Sequence, residues 1–287
     1  LTLKTLAAMC AALTLYGCVR PTPNPHYVVG SAYQVGGVWY YPRESQGFDD
    51  TGIAAIQQAP ASGLTADGEV FDAAAMAGAH PTLQLPAIAR VTNLDNGRQV
   101  VIRINDRGAG NPHRLLEVTR RVADLLQFPA GGLARVRLQL LPEETQAADE
   151  ALGGGGPKVA VAAPRSAIQA TELPPIGGSG TGATKVIGAP EAVAPAAAPM
   201  KLPETVYQAN PAPGQLLVRL DTFDQYQFAA VQLAKMAGTG AHIVYVREGR
   251  STQYRVDCGP LSSIAQADAV LDRALAYGIP DARIVVE

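Results

Sequence analysis

The sequence predicts a mainly β domain followed by an α+β domain of order βαββαβ, the two joined by a disordered linker. Three observations predict it. Short runs in the first half alternate apolar and polar residues between turn signals, the signature of a small β-barrel. A long stretch rich in Ala, Gly and Pro interrupts the chain. Residues 213–287 then alternate strand-like runs with two helix-like ones. The charge is nearly balanced, with 23 Lys and Arg against 25 Asp and Glu, a net of -2. Nucleic-acid-binding domains carry a basic excess, so no nucleic-acid partner is expected.

At the start, Lys4 precedes an apolar run from Leu6 to Tyr16. A membrane-spanning helix needs about 20 apolar residues, and this run has the length of a signal-peptide core. It ends Leu15-Tyr16-Gly17-Cys18, which looks like a lipobox. In bacterial lipoproteins the cysteine of that motif is acylated and becomes the mature N-terminus. Residues 1–17 are therefore read as a lipoprotein signal peptide, Cys18 as the lipidation site, and 18–50 as the anchor and N-terminal segment. Several acyl chains hold a protein at a membrane where one does not. Val19, rather than Asp, follows the cysteine, which favours delivery to the outer membrane, on its periplasmic face. The cysteines at 10, 18 and 258 form neither a disulfide framework nor a zinc pattern.

The β domain spans 51–142. Ile88–Thr92 and Arg98–Asn105 flank Leu94-Asp95-Asn96-Gly97, and Asn-Gly is a strong hairpin signal. In the second strand Val100, Ile102 and Ile104 face one way, and Val101, Arg103 and Asn105 the other. Arg114–Val118 reads as a further short strand, and Thr119 as the N-cap of a helix over 120–126. Leu133–Leu140 alternates, with Arg135, Arg137 and Gln139 outward.

Residues 147–200 contain 31 Ala, Gly or Pro and no aromatic residue, too little apolar area to offset the entropy of ordering. The whole of 143–212 is read as the disordered linker, whose core alone would hold its ends about 40 Å apart on average. In the last domain, Leu216–Asp221 is a strand. Tyr226, Ala230, Leu233 and Ala237 have helical spacing. Ala241–Arg247 and Thr252–Cys258 form a hairpin. Ser262 or Ser263 caps a second helix, Gly278 ends it, and 281–286 closes the sheet. With both helices on one face, the other is free to bind. Strict alternation places Leu217, Arg219, Asp221, Gln253, Arg255 and Asp257 there.

Three polar residues of the β domain stand out: Glu69, His80 and Asp106. Asp106 ends the Val100-Ile102-Ile104 side of its strand. Partial desolvation there raises a carboxyl pKa, as suits a general acid. The plainer readings are an Asp bonding its own turn, a solvated Glu69 and a structural imidazole at His80. No second His or Cys stands at metal spacing, so no metal is expected.

At these residues a resemblance becomes specific. Gly63-Leu64-Thr65-Ala66-Asp67-Gly68-Glu69-Val70-Phe71-Asp72, Ala79-His80-Pro81-Thr82-Leu83, Arg90-Val91-Thr92-Asn93-Leu94-Asp95-Asn96-Gly97 and Asn105-Asp106-Arg107-Gly108 resemble the rare lipoprotein A (RlpA) family. Separately, Val218-Arg219-Leu220-Asp221-Thr222-Phe223 and Tyr254-Arg255-Val256-Asp257-Cys258-Gly259-Pro260 resemble a SPOR domain. The resemblance implies a double-psi β-barrel followed by a SPOR domain, and an endolytic peptidoglycan lytic transglycosylase. Such an enzyme cleaves between N-acetylmuramic acid and N-acetylglucosamine in peptide-free glycan strands and leaves a 1,6-anhydro end. It further implies Asp106 as acid/base, Glu69 assisting, and His80 orienting a carboxylate, with no cofactor. Arg219, Thr222 and Arg255 would bind glycan and enrich the protein at the division septum, where divisome proteins are further candidate partners. Where the family carries Ala-Ser-Trp-Tyr-Gly, this chain reads Ala54-Ala55-Ile56-Gln57-Gln58. Loss of the aromatic pair favours the alternative, a non-catalytic septal peptidoglycan-binding lipoprotein.

Overall fold

The computed structural model describes residues 22–154 and 201–287, Arg250 excepted. The expected signal peptide, Cys18 and the centre of the expected linker lie outside the described residues. A hairpin, β1 (Tyr33–Val35) and β2 (Val38–Tyr40), precedes β3 (Asp49–Ile56), β4 (Ala77–Ala79), β5 (Ala87–Asn93), β6 (Arg98–Asp106), β7 (Leu116–Val118), α1 (Arg120–Leu125) and β8 (Leu133–Leu140). After α2 (Pro142–Ala151) and β9 (Tyr207–Gln208) come β10 (Leu216–Phe223), α3 (Tyr226–Lys235), β11 (Ala241–Glu248), β12 (Ser251–Leu261), α4 (Ile264–Ala276) and β13 (Arg283–Val286).

Strands β4-β7-β3-β8-β5-β6 lie side by side in that order, and β4 pairs with β6 to close a six-stranded ring. The β3–β7 and β4–β6 pairings are parallel and the others antiparallel. This is the expected double-psi β-barrel. Val100, Ile102 and Ile104 point into it and pack with Val91, Val136 and Leu138, all fully buried. The Asn-Gly turn joins β5 to β6 as expected: Gly97 N donates to Asn93 O at 2.8 Å, and Arg98 N to the Asn96 side chain at 2.9 Å. Thr119 caps α1 by accepting from Val122 N. At the closure β4 passes very near β7, and a Cβ on Gly78 would lie 2.7 Å from Glu117 O. Only glycine permits that approach.

The structure corrects both ends of the expected linker. Pro142–Ala151 is a helix, with Pro at its start and Glu143 and Glu144 in its first turn, where negative charge suits the helix dipole. It is held to the barrel by Thr145, whose Oγ1 accepts from Ile88 N at 2.9 Å and donates to Ile88 O at 3.1 Å. Composition hid this helix because its anchor is one buried hydroxyl rather than an apolar stripe. At the other end, β9 pairs with β6, and Ala212 N donates to Leu94 O at 2.9 Å. Thr145→Val strands the N–H of Ile88 in a buried site, while Ile88 O keeps its bond from Leu141 N at 2.8 Å. It is expected to destabilise by about 1–3 kcal/mol, measured as a lower urea midpoint at unchanged slope.

The last domain is a four-stranded antiparallel sheet of order β11-β12-β10-β13. Val218, Leu220, Val256 and Cys258 pack with α3 and α4 through Ala229, Met236, Ala267 and Leu271. Ser263 is the cap of α4. Two sequence expectations shift. The buried face of α3 is Ala229, Gln232 and Met236, and Tyr226 is half exposed, edge-on to Tyr254. Small Ala229 lets the helix lie closer to the sheet than a Tyr226 face would. A bulge between Arg219 and Thr222 also breaks strict alternation, so Thr222, not Asp221, lies opposite Arg255.

The two domains are docked rather than held apart. Thr51 Oγ1 donates to Val286 O at 2.7 Å and accepts from Val286 N at 3.0 Å. A barrel hydroxyl thus satisfies the outer edge of β13, and a covered edge cannot recruit foreign strands. Arg114 forms a two-pronged pair with Asp268, at 2.7 and 3.1 Å. Ile53 and Leu94 of the barrel are buried with the apolar cluster of the last domain. None of these pairings has a local sequence signature.

Candidate functional site

Glu69 is delivered by a tight turn. Thr65 Oγ1 accepts from Glu69 N at 3.1 Å and donates to Asp67 Oδ1 at 2.7 Å. Gly68 takes φ +84, and a Cβ there would meet the backbone of Asn24, whose N donates to Gly68 O. The N-terminal segment therefore straps this turn in place. The Glu69 side chain then meets the outward face of β6. Its Oε1 lies 2.6 Å from Arg103 Nη2, and its Oε2 accepts from Asn105 Nδ2 at 2.8 Å. Asp67, fully buried, lies 3.7 Å from the same guanidinium. One cation thus serves two buried carboxyls. Burial first, and then the neighbouring charge of Glu69, push the Asp67 carboxyl up to about 7.

Glu69, Arg103 and Asn105 open into a cavity of about 780 Å³. Its walls include Gln57, Thr65 and Phe71, with Asn24 from the N-terminal segment and Lys201 and Glu204 from the returning segment. Asp106 stands behind this wall, only 9% exposed. Its Oδ2 accepts from Gln57 Nε2 at 2.7 Å, and its Oδ1 from Ala66 N at 3.0 Å and Arg107 N at 2.8 Å. Burial raises its pKa, partly offset by those hydrogen bonds and by the charge of Arg107. The two carboxyls therefore share a wall, namely Gln57 and the 65–69 turn: Glu69 lines the cavity, and Asp106, at the end of β6, accepts from Gln57 and from Ala66 of that turn.

His80 behaves differently from the expectation. Its Nδ1 accepts from Thr82 N and Leu83 N, both at 3.2 Å, and its ring stands edge-on to Phe48 at 4.9 Å. Burial, helped by the charge of Arg107, lowers its pKa to about 3, so the imidazole is neutral. No described hydrogen bond joins the ring to a carboxyl. Instead, the backbone N of His80 donates to Asp106 O at 3.0 Å. The plainer reading of this histidine, a structural imidazole, describes its ring.

On the last domain, Arg219, Thr222 and Arg255 share the sheet face away from the helices, with Arg219 opposite Asp257 and Thr222 opposite Arg255. Both guanidiniums are ion-paired. Arg255 Nη2 lies 2.8 Å from Asp257 Oδ2 and 3.2 Å from Glu287 Oε1, and Arg219 pairs with the same two carboxylates. Sequence reasoning missed Gln57, Arg103 and Asp67. The available signal was Arg103 itself, an arginine amid the apolar residues of a barrel strand.

Residues 48–138 match a family model described as lytic transglycolase. A relative from Rickettsia felis, named endolytic peptidoglycan transglycosylase RlpA, is 34% identical over 129 residues, 44% of this chain and 57% of that protein. Proteins of the same name from Escherichia coli K12 and Salmonella typhimurium are 38% identical over 142 residues and 42% over 113. These alignments take in 49% and 39% of this chain, and 37% and 28% of those relatives. The chain thus spans little more than half the length of the first relative, and less of the others. A crystal structure of the RlpA SPOR domain from Pseudomonas aeruginosa is 20% identical. It covers 25% of this chain and 99% of its own, with a TM-score of 0.24.

Proposed function

We propose that this chain is a member of the RlpA family and that its barrel is an endolytic lytic transglycosylase acting on peptide-free peptidoglycan strands. One observation carries the reading: a carboxylate ion-paired to arginine lines a large cavity, and a second carboxyl with a raised pKa stands behind the same wall. Two carboxyls in different environments divide the labour of glycoside cleavage. Asp106 donates its proton to the leaving glycosidic oxygen, and Glu69, fixed by Arg103 and Asn105, faces the positive charge that develops on the sugar. The muramoyl 6-hydroxyl then attacks the anomeric carbon and gives up its proton to Asp106, which closes the 1,6-anhydro ring. His80 supports Asp106 through its backbone. The Arg219, Thr222 and Arg255 face binds glycan and directs the protein to the septum. Cys18 carries the lipid that holds it at the outer membrane.

Gln57 favours a second reading, a non-catalytic peptidoglycan-binding lipoprotein, because its amide occupies Asp106 Oδ2. Digestion of purified peptide-free glycan strands by the full chain separates the two. Anhydro-ended fragments by mass spectrometry are expected. Glycan that is bound but never shortened supports the binding protein instead.

A further inference from the structure

The chain has a single tryptophan, and the proposed chemistry leaves it unused. Trp39 lies on the β1–β2 hairpin, whose inward side is pinned to the barrel. Tyr33 and Tyr40 stack with ring centroids 5.2 Å apart. The Tyr33 hydroxyl donates to Pro81 O at 3.0 Å, and that of Tyr40 to Gly110 O at 2.9 Å. The outward positions are Trp39 and Tyr41, exposed by 53% and 65%. Their ring centroids lie 6.4 Å apart, with planes within 26° of parallel. A rigid hairpin thus displays two neighbouring aromatic rings to solvent.

Beside them lies a cleft of about 330 Å³, bounded by the hairpin, the 111–115 loop and residues 280–284 of the last domain. Arg43, Asp50, Asn111 and Arg283 line it. Among the described residues the guanidiniums of Arg43 and Arg283 have no ion-pair partner. Aromatic faces with a few convergent polar groups are the make-up of a ligand site. The carbon-bound hydrogens of a pyranose ring suit an aromatic face, and its hydroxyl and acetamido groups suit Asp50 and Asn111. Unpaired guanidiniums suit carboxylates, which a muramic acid unit carries once its peptide is gone.

We propose that Trp39 and Tyr41, with Arg43, Asn111 and Arg283, form a subsite for a carboxylate-bearing β-1,4 amino-sugar strand, distinct from the Glu69 cavity and adjoining the Arg219–Arg255 face through Arg283, which lies opposite Arg219. The choice of glycan rests on the function proposed above. His80 also borders the cleft, so a strand held here lies alongside the loop that supports Asp106.

The lone tryptophan makes the test direct. The full chain is titrated with soluble peptide-free glycan fragments while Trp39 emission is followed, and anhydro ends are assayed separately. A saturable blue shift is expected. The exposed pair Trp39→Ala with Tyr41→Ala, folded by circular dichroism, is expected to weaken binding about tenfold or more by calorimetry. Glycan that is cleaved with Trp39 emission unchanged overturns the subsite and leaves the proposed function standing, and glycan that is bound but not cleaved with emission unchanged overturns both the subsite and the catalytic reading. A shift without anhydro ends supports the subsite and sinks the catalytic reading. No binding by either measure overturns both. A shift that follows protein concentration alone overturns the subsite in favour of self-association.

Discussion

Asp106→Asn is expected to cut formation of anhydro-ended fragments by at least about a hundredfold, the low end of what a positioned general acid contributes. The substitution is nearly isosteric. The amide oxygen still accepts from Ala66 N and Arg107 N, and Gln57 can turn its own amide to meet the new NH₂ group. What is lost is the transferable proton, so stability and glycan affinity should hold while turnover falls. Because the folded Asp106 pKa is raised, wild-type activity should extend above the usual carboxyl range and fall once pH passes that raised value. Glu69→Gln provides the contrast. It removes the charge that pairs with Arg103 and one of the two acceptor oxygens that meet Arg103 and Asn105, so it should cost stability as well as rate. Turnover of purified glycan, with urea midpoints on the same preparations, checks both. Undiminished cleavage by Asp106→Asn would remove this residue from the chemistry.

The parts legible in the sequence were those set by local chemistry. The Asn96-Gly97 turn, the Thr119 cap and the alternation of 133–140 each depend on residues within a few positions, and each forms where expected. The parts not legible depend on distant partners. Thr145 and Ile88 lie 57 residues apart, and Thr51 and Val286 lie 235 apart. A lone threonine announces neither bond. The site divides the same way. Glu69 and Asp106 stand out within motifs, but the sequence does not show that Gln57 and the 65–69 turn join them. Gln57 falls where the family's aromatic pair would be, so it registers in sequence only as a loss. In the structure it is the donor to Asp106 Oδ2.

The largest stability effect is expected at Arg103. Its guanidinium is the common counter-charge of Asp67 and Glu69, at 3.7 and 2.6 Å, and all three side chains are buried. Arg103→Met keeps much of the volume and removes the charge. Two carboxyls then face each other without a cation, and removing one partner of a buried ion pair costs about 3–5 kcal/mol. The pH dependence identifies the cause. In the wild type the Asp67 carboxyl is raised from 3.8 to about 7, so between those values the folded chain holds a proton that the unfolded chain has released. Folding is then favoured by acid, and the contribution of this group declines as pH climbs through the window. Without Arg103 the Asp67 carboxyl loses the cation that lowers it and is pushed further up, so the decline should steepen and reach higher pH. Urea midpoints at pH 5 and pH 8 should therefore diverge more in Arg103→Met than in wild type. Asp67→Asn, added to that variant, removes one of the facing charges and should recover part of the loss at pH 8. Residues in contact show such non-additivity. If Arg103→Met loses equal stability at both pH values, and Asp67→Asn rescues neither, then Arg103 acts through packing alone and the cluster is not electrostatically coupled.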